Sequence, residues 1–359
     1  MNNKMNHIGY IFQPSYLLHN PGAGHPESPA RVESIMAYLK SNGLMDRLAN
    51  VEARRASREE ISLVHTTGYQ SKINSMCAAG GGSLDADTIL SADSCVAAEY
   101  AAGGAVAAVE AVMTGDVRKC LALVRPPGHH AFPDRGSGFC IYNNIAIAAR
   151  FARAKYGLKR LAILDFDVHH GNGTQAIFDD DPDTMYVSTH QSPYYPGTGA
   201  IDDIGVSGEG RETRNAQRVT KVNIPLPAGC GDGEYTRVYD EIVIPVVRRF
   251  RPELILVSAG YDAHRDDPLA GMKLTASGYA AMVSRISMLA DECCGGKAVF
   301  CLEGGYNLGA LARSVAVTFR VLLGESAATE VAAEPAEYSF GTPDISGIVH
   351  KVKLIHHLE

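Results

Sequence analysis

The 359-residue chain has no apolar run that approaches the length of a membrane span, so no membrane partner is expected. The opening MNNKMNHIGYIFQPS lacks the long apolar core of an export signal, which makes a cytoplasmic location the expectation. Of the eight cysteines, Cys77, Cys95, Cys120, Cys140, Cys230, Cys293, Cys294 and Cys301, none forms a C-x-x-C pair, and several lie in apolar segments. They read as reduced core thiols, not as a disulfide framework or a cysteine-zinc site. Positive charge is neither in excess nor clustered: 33 Lys and Arg stand against 40 Asp and Glu, a net charge of −7. This argues against nucleic acid as the main partner. Three catalytic patterns are also missing. There is no G-x-S-x-G, no G-x-x-x-x-G-K-[ST] and no H-E-x-x-H, so a serine hydrolase, a phosphate-loop enzyme and a helix-borne zinc protease have no support.

The length suits one large α/β domain or two ordinary ones, and 46% hydrophobic with 20% charged residues suits a globular protein with a sizeable core. Short apolar runs, CLALV (120–124), LAIL (161–164), TMYVS (184–188), KVNIPL (221–226), LILVSAG (254–260) and AVFCLEG (298–304), alternate with longer amphipathic ones. Helix punctuation is clear in places. Ser28-Pro29 suggests an N-cap followed by a first-turn proline, Ser57-Arg58-Glu59-Glu60 a capping box, and Asn307 a cap. The Ala-rich residues 93–114 suit a closely packed helix. Runs apolar on both faces and separated by helices predict a mainly parallel sheet covered on both sides.

In such sheets ligands bind beyond the carboxyl ends of the strands. LAIL runs into DFDVHHGNG, where Asp167 and His169 are two apart and point the same way from an extended backbone. CLALV leads to RPPGHH, with His129 and His130, and then to Phe139. LILVSAG leads to Tyr261 and Asp262, and AVFCLEGG to Tyr306. Asp167, His169 and Asp262 offer one nitrogen and two carboxylates, a three-ligand set with an open position that suits a catalytic zinc, with iron, cobalt or manganese also acceptable. Taken singly, Asp262 reads equally well as a turn or capping residue. His129-His130 is a candidate acid/base pair, although neighbouring residues ordinarily diverge. Tyr306, after two glycines, can offer a hydroxyl to an oxyanion.

In order along the chain, HPESPARVESI, RPPGHH, GFCIYNN, DFDVHHGNGTQ, SAGYDAHRDDPLAG and LEGGYN resemble the zinc-dependent histone deacetylase family, over roughly residues 7–324. That family includes acetylpolyamine amidohydrolases and bacterial deacetylase-like amidohydrolases. The resemblance implies the arginase–deacetylase α/β fold, a single three-layer domain over residues 1–325. It also implies hydrolysis of an N-acetyl amide with release of acetate. By the same resemblance Asp167, His169 and Asp262 hold Zn2+, His129 and His130 are the histidine pair with His130 the base, and Tyr306 polarises the acetyl carbonyl. Phe139 and one of Tyr194 or Tyr195, with Tyr195 favoured, wall the acyl-lysine stem. Gly138 lies at the narrows, and Asp87 contacts the substrate backbone. Asp165 and Ser188 match a K+ site. Asn172 and RPPGHH look like class II, and Leu269 stands where a polyamine-selective member carries an acid.

The expected partner is therefore an acetylated lysine peptide or protein, or an acetylated small amine. Two further readings are a non-catalytic acyl-lysine binder, against which the intact catalytic set argues, and a dinuclear manganese ureohydrolase, which needs more bridging aspartates. The loop 191–217 is expected to shape the entrance. Residues 326–359 read as a tail without catalytic role: an oligomerisation arm, a surface strand or a partly disordered segment.

Overall fold

The computed structural model describes residues 7–205, 220–334 and 341–358. Its frame is an eight-stranded sheet made of β1 (Ile8–Ile11), β2 (Ala49–Asn50), β5 (Lys119–Ala122), β6 (Leu161–Asp165), β7 (Thr184–Gln191), β8 (Lys221–Leu226), β9 (Leu254–Ala259) and β10 (Ala298–Leu302). A separate antiparallel hairpin joins β3 (Gly81–Ser83) to β4 (Ile89–Ser91). The sheet order is β2-β1-β5-β10-β9-β6-β7-β8, and every neighbouring pair is parallel. All carboxyl ends therefore open on the same edge, which is what gathers the motifs.

The strands are buried on both faces, and their two-residue alternation decides which layer each side chain joins. Leu121, Ala162, Leu164, Ile255 and Val257 face one core with the helices Ala30–Ser41, Ala276–Cys294 and Leu308–Leu322. Cys120, Ala122, Leu161, Ile163, Leu254 and Leu256 face the other with Ser94–Thr114 and Asn144–Tyr156. The result is the single three-layer α/β domain expected. All eight cysteines are free thiols.

Several local expectations need correction. The helix Ser94–Thr114 is, by length and composition, apolar enough to cross a membrane, contrary to the reading that no run comes near. Alanine and glycine spread its hydrophobicity thinly, and 78% of its most apolar window is buried inside the protein, against β5 and the helix Asn144–Tyr156. β1 was not foreseen, since it is only four residues long and isolated from other apolar sequence. Ser28 is not a side-chain cap: Pro29 holds the N-cap position of Ala30–Ser41, and the Ser28 carbonyl accepts the Arg31 amide. The Ser57 capping box and the Asn307 cap are present as read.

In the tail, the helices Ala328–Ala332 and Ser346–Ile355 lie on the domain, with Ile345, Val349 and Val352 joining its core. Residues 206–219, within or beside the expected entrance loop, and 335–340 of the tail lie outside the described residues.

Candidate active site

β6 and β9 are direct neighbours, paired Asp165 to Ser258. The residues just past their ends, far apart in sequence, therefore meet. His169 Nδ1 stands 3.1 Å from Asp167 Oδ1 and 3.2 Å from Asp262 Oδ2. One ligand atom from each of these side chains lies within 4.8 Å of the others. The backbone sets both acids: the Gly304 amide donates to Asp167 Oδ2 at 2.8 Å, and the Val168 amide to Asp262 Oδ1 at 2.9 Å. Gly304 is required by this approach, because a Cβ there would stand 2.1 Å from Asp262 Oδ2.

The cluster fits a divalent cation. Asp262 Oδ2 is fully buried and accepts no hydrogen bond. Two carboxylates hidden from water need a compensating positive charge. In the protein alone His169 supplies it. Burial lowers an imidazole pKa, but Asp167 and Asp262 outweigh burial and lift His169 to about 10. Burial, then Asp167, pushes Asp262 up to about 7. A cation bound by one nitrogen and two carboxylates would relieve both strains.

Beside it sit His129 and His130, with ring centroids 4.0 Å apart. The turn Pro126-Pro127-Gly128 brings both into the pocket, so they do not diverge. Their partners differ. His129 Nδ1 donates to Asp165 Oδ2 at 3.1 Å, and Tyr186 donates to the same oxygen at 2.9 Å. Burial opposes charge on His129, but Asp167 and Asp165 override it and raise the pKa to about 10. His130 Nδ1 faces Asn172 Oδ1 at 2.9 Å, a neutral partner. Burial, then His129 and His169, drives His130 well below the ordinary imidazole value. One ring is thus held charged and its neighbour neutral. Asn172, read from sequence as a mark of subclass only, orients His130, so that reading is corrected.

Tyr306 follows β10. Its amide donates to Asp267 Oδ2 at 2.6 Å, and the Arg31 guanidinium lies 4.9 Å from its ring centroid. Arg31 is anchored on the Gly305 carbonyl at 2.7 Å and on Glu27. Phe139 meets the Tyr306 ring edge-on at 5.8 Å. Phe139 has a positive φ of 68°, strained for a side chain of this size, and its amide is held by Thr88 Oγ1 at 3.0 Å. Gly138 before it has φ 54°, and a Cβ would come within 2.5 Å of the His130 ring.

A cavity of about 240 Å³ joins these groups, lined by Asp87, Pro127, His129, His130, Gly138, Phe139, His169, Tyr194, Tyr195, Leu269, Gly304 and Tyr306. Both tyrosines line it. Tyr195 meets His130 edge-on at 5.2 Å, while Tyr194 stacks over His169 at 5.7 Å and donates to the Leu269 carbonyl at 2.8 Å. Asp165 and Ser188 are cross-strand partners between β6 and β7, behind the cluster. Ser188 Oγ lies 2.9 Å from His190 Nδ1. His170 turns away from the cavity to Thr198 and Gln175.

Glu303 went unremarked in the sequence. It accepts the Gly128 and His129 amides and the Ser258 hydroxyl, and so fixes the histidine turn. Its signal was available: an acid closing an apolar strand run, just before two glycines.

The model of the histone deacetylase domain matches residues 25–322. The chain belongs to the histone deacetylase family. Among curated relatives of this deacetylase, a chloroplastic histone deacetylase 14 of Arabidopsis thaliana is 41% identical, covering 97% of this chain and 85% of the relative. A probable deacetylase of Archaeoglobus fulgidus is 43% identical over 84% of this chain and 81% of the relative. A histone deacetylase-like amidohydrolase of Pseudomonas aeruginosa is 41% identical over 79% and 73%. The crystal structure of the HDA15 HD domain superposes with a TM-score of 0.86 at 35% identity, covering 98% of this chain and 94% of that one. The fold and the deacetylase-type hydrolase class read from the motifs therefore stand.

Proposed function

We propose that the protein is a zinc-dependent deacetylase that hydrolyses the N-acetyl amide of acetyl-lysine, or of a related acetylated amine, and releases acetate. The observation that carries this reading is the buried cluster of Asp167, His169 and Asp262, whose Oδ2 accepts no hydrogen bond, at a cavity lined by His169, the His129-His130 pair and Tyr306. Asp167, His169 and Asp262 would hold the zinc, whose chemistry when bound is to polarise a carbonyl and make water acidic enough to attack near neutral pH.

The chain's own groups divide the remaining work. His130, kept neutral by burial and by His129, accepts the proton from the attacking water. Tyr306 donates its hydroxyl to the developing oxyanion. His129, held as an imidazolium by Asp165, keeps positive charge beside that oxyanion. Once charged, His130 returns its proton to the departing amine. Phe139 and Tyr195, with Tyr194 beside them, clasp the aliphatic stem of the substrate. Gly138 leaves room at the narrows, and Asp87 at the rim receives the substrate backbone.

Asp165 serves the histidine pair through its bond to His129. With Ser188 it is also the proposed K+ site. Leu269 at the mouth offers no charge to a cationic amine, which favours acetyl-lysine over an acetylpolyamine. The site is proposed to work in the cytoplasm.

Turnover of a fluorogenic acetyl-lysine peptide tests the proposal. Chelation is expected to abolish it, and zinc or cobalt to restore it. Chelator-resistant turnover by metal-free protein overturns the metal, and no turnover with one zinc bound per chain leaves a binder of acyl-lysine. An acetylpolyamine hydrolysed faster than the peptide would reassign the substrate.

A further inference from the structure

The histone deacetylase domain match ends at residue 322, short of Glu334. Yet the Glu334 carboxylate reaches into the loop after β9. His264 Nδ1 accepts the Asp266 amide at 3.1 Å, so the ring proton sits on Nε2, which donates to Glu334 Oε1 at 2.8 Å. Glu334 Oε2 accepts the Ala276 amide at 3.0 Å. The two side chains are 0% and 5% exposed. A buried pair of this kind fixes position strongly, because removing one partner strands the other.

From His264 the bonds continue to the reacting groups. The Asp267 amide donates to the His264 carbonyl at 2.9 Å. Asp267 Oδ2 accepts the amides of Tyr306 at 2.6 Å and Asn307 at 3.2 Å, and its Oδ1 accepts that of Leu269 at 3.0 Å. Asn307 caps the helix Leu308–Leu322. The tail docks back on that same helix, where Arg320 Nε donates to both oxygens of the buried Glu330, at 2.7 and 2.8 Å. The segment bearing Glu334 is therefore tied at one end to the helix that begins two residues after Tyr306 and at the other to the loop that holds the Tyr306 amide.

We propose that Glu334 is a positioning residue for Tyr306: through His264 and Asp267 it holds the loop 263–269 where the Tyr306 hydroxyl meets the reacting carbonyl. This rests on the reading of Tyr306 as the oxyanion donor. It gives the C-terminal segment, expected from sequence to be without catalytic consequence, a part in turnover. A loosened loop costs rate and not binding, since small misplacements of a reacting group are expensive.

The test is a double-mutant cycle in the full chain with bound zinc, using Glu334→Ala and Tyr306→Phe and an acetyl-lysine peptide. Glu334→Ala is expected to lower kcat about tenfold, with KM and zinc content unchanged to within about twofold. Glu334→Gln keeps one of the two acceptors, for His264 or for the Ala276 amide, and should recover part of the loss. In the Tyr306→Phe background Glu334→Ala should cost less than about twofold, because the group it positions is gone.

A full tenfold cost in that background, with Tyr306→Phe itself slow, overturns the inference and leaves the reading of the site intact. Wild-type turnover by Tyr306→Phe overturns the reading of the site. A lowered melting temperature with unchanged kcat in Glu334→Ala would make the contact structural only and also overturn the inference. Glu334→Asp, which keeps the charge but shortens the reach, carries the same cycle if the alanine variant does not fold.

Discussion

At the pocket floor, Asp165 takes His129, Tyr186 and the Asp167 amide, while Glu303 takes Gly128, His129 and Ser258. At the mouth, Tyr194 and Tyr195 stand 39% and 42% exposed, and Leu269 offers only a half-buried aliphatic surface. The floor is fixed by strand ends and by buried bonds that tolerate little change. The mouth is assembled from loops whose side chains meet solvent. On the proposed reading, chemistry sits at the buried floor and substrate choice at the exposed mouth, the part least constrained by the fold.

The contrast can be broken most forcefully at the floor. Asp262→Asn should remove bound zinc and turnover together, because one of the two carboxylates in the cluster loses its charge; metal analysis alongside the peptide assay reads both. Full activity with normal zinc content would mean the floor is not the metal centre. Next in size, Tyr306→Phe removes one oxyanion donor, worth about 3 kcal/mol, and should slow kcat by two to three orders of magnitude with little change in KM.

The third test lies where floor meets mouth. Asn172→Asp puts a carboxylate on His130 Nδ1, which stabilises the imidazolium and raises the His130 pKa. The base must be neutral to act, so the acidic limb of the kcat/KM profile should move to higher pH, with activity near neutrality reduced. An unshifted limb would show that His130 is not the titrating base. The smallest effect belongs to the mouth. Leu269→Glu should improve acetylpolyamine over acetyl-lysine peptide by no more than about fivefold, the worth of a solvent-screened ion pair. A larger switch would show that this one side chain, and not the mouth as a whole, sets the choice of amine.

The same contrast explains what could be read from sequence. Asp167 and His169 declare themselves because they end a run that can only be a buried strand. Asp262 joins them because parallel strands bring all such ends to one edge. Asn172 escaped because its contact with His130 depends on the turn after His170, which no periodicity encodes. The sequence favours Tyr195 over Tyr194, but adjacent loop residues have no fixed face, and both line the cavity. The docking of the tail was hidden for a related reason. Its Ala- and acid-rich composition looks like solvated chain, yet Glu330 and Glu334 are acids because Arg320 and His264 wait for them inside the domain.

The parallel pairing of β6 with β9 also bears on how the molecule assembles. The helices can begin from contacts along a short stretch of chain, whereas Asp167 and Asp262 meet only after the chain has closed a long loop and laid two distant strands side by side. The cluster of Asp167, His169 and Asp262 is therefore expected to form late in folding. A chain stalled with its helices formed but its sheet incomplete holds two aspartates with no common neighbour, and in a refolding experiment zinc uptake should trail the recovery of helical signal and rise together with the burial of β9.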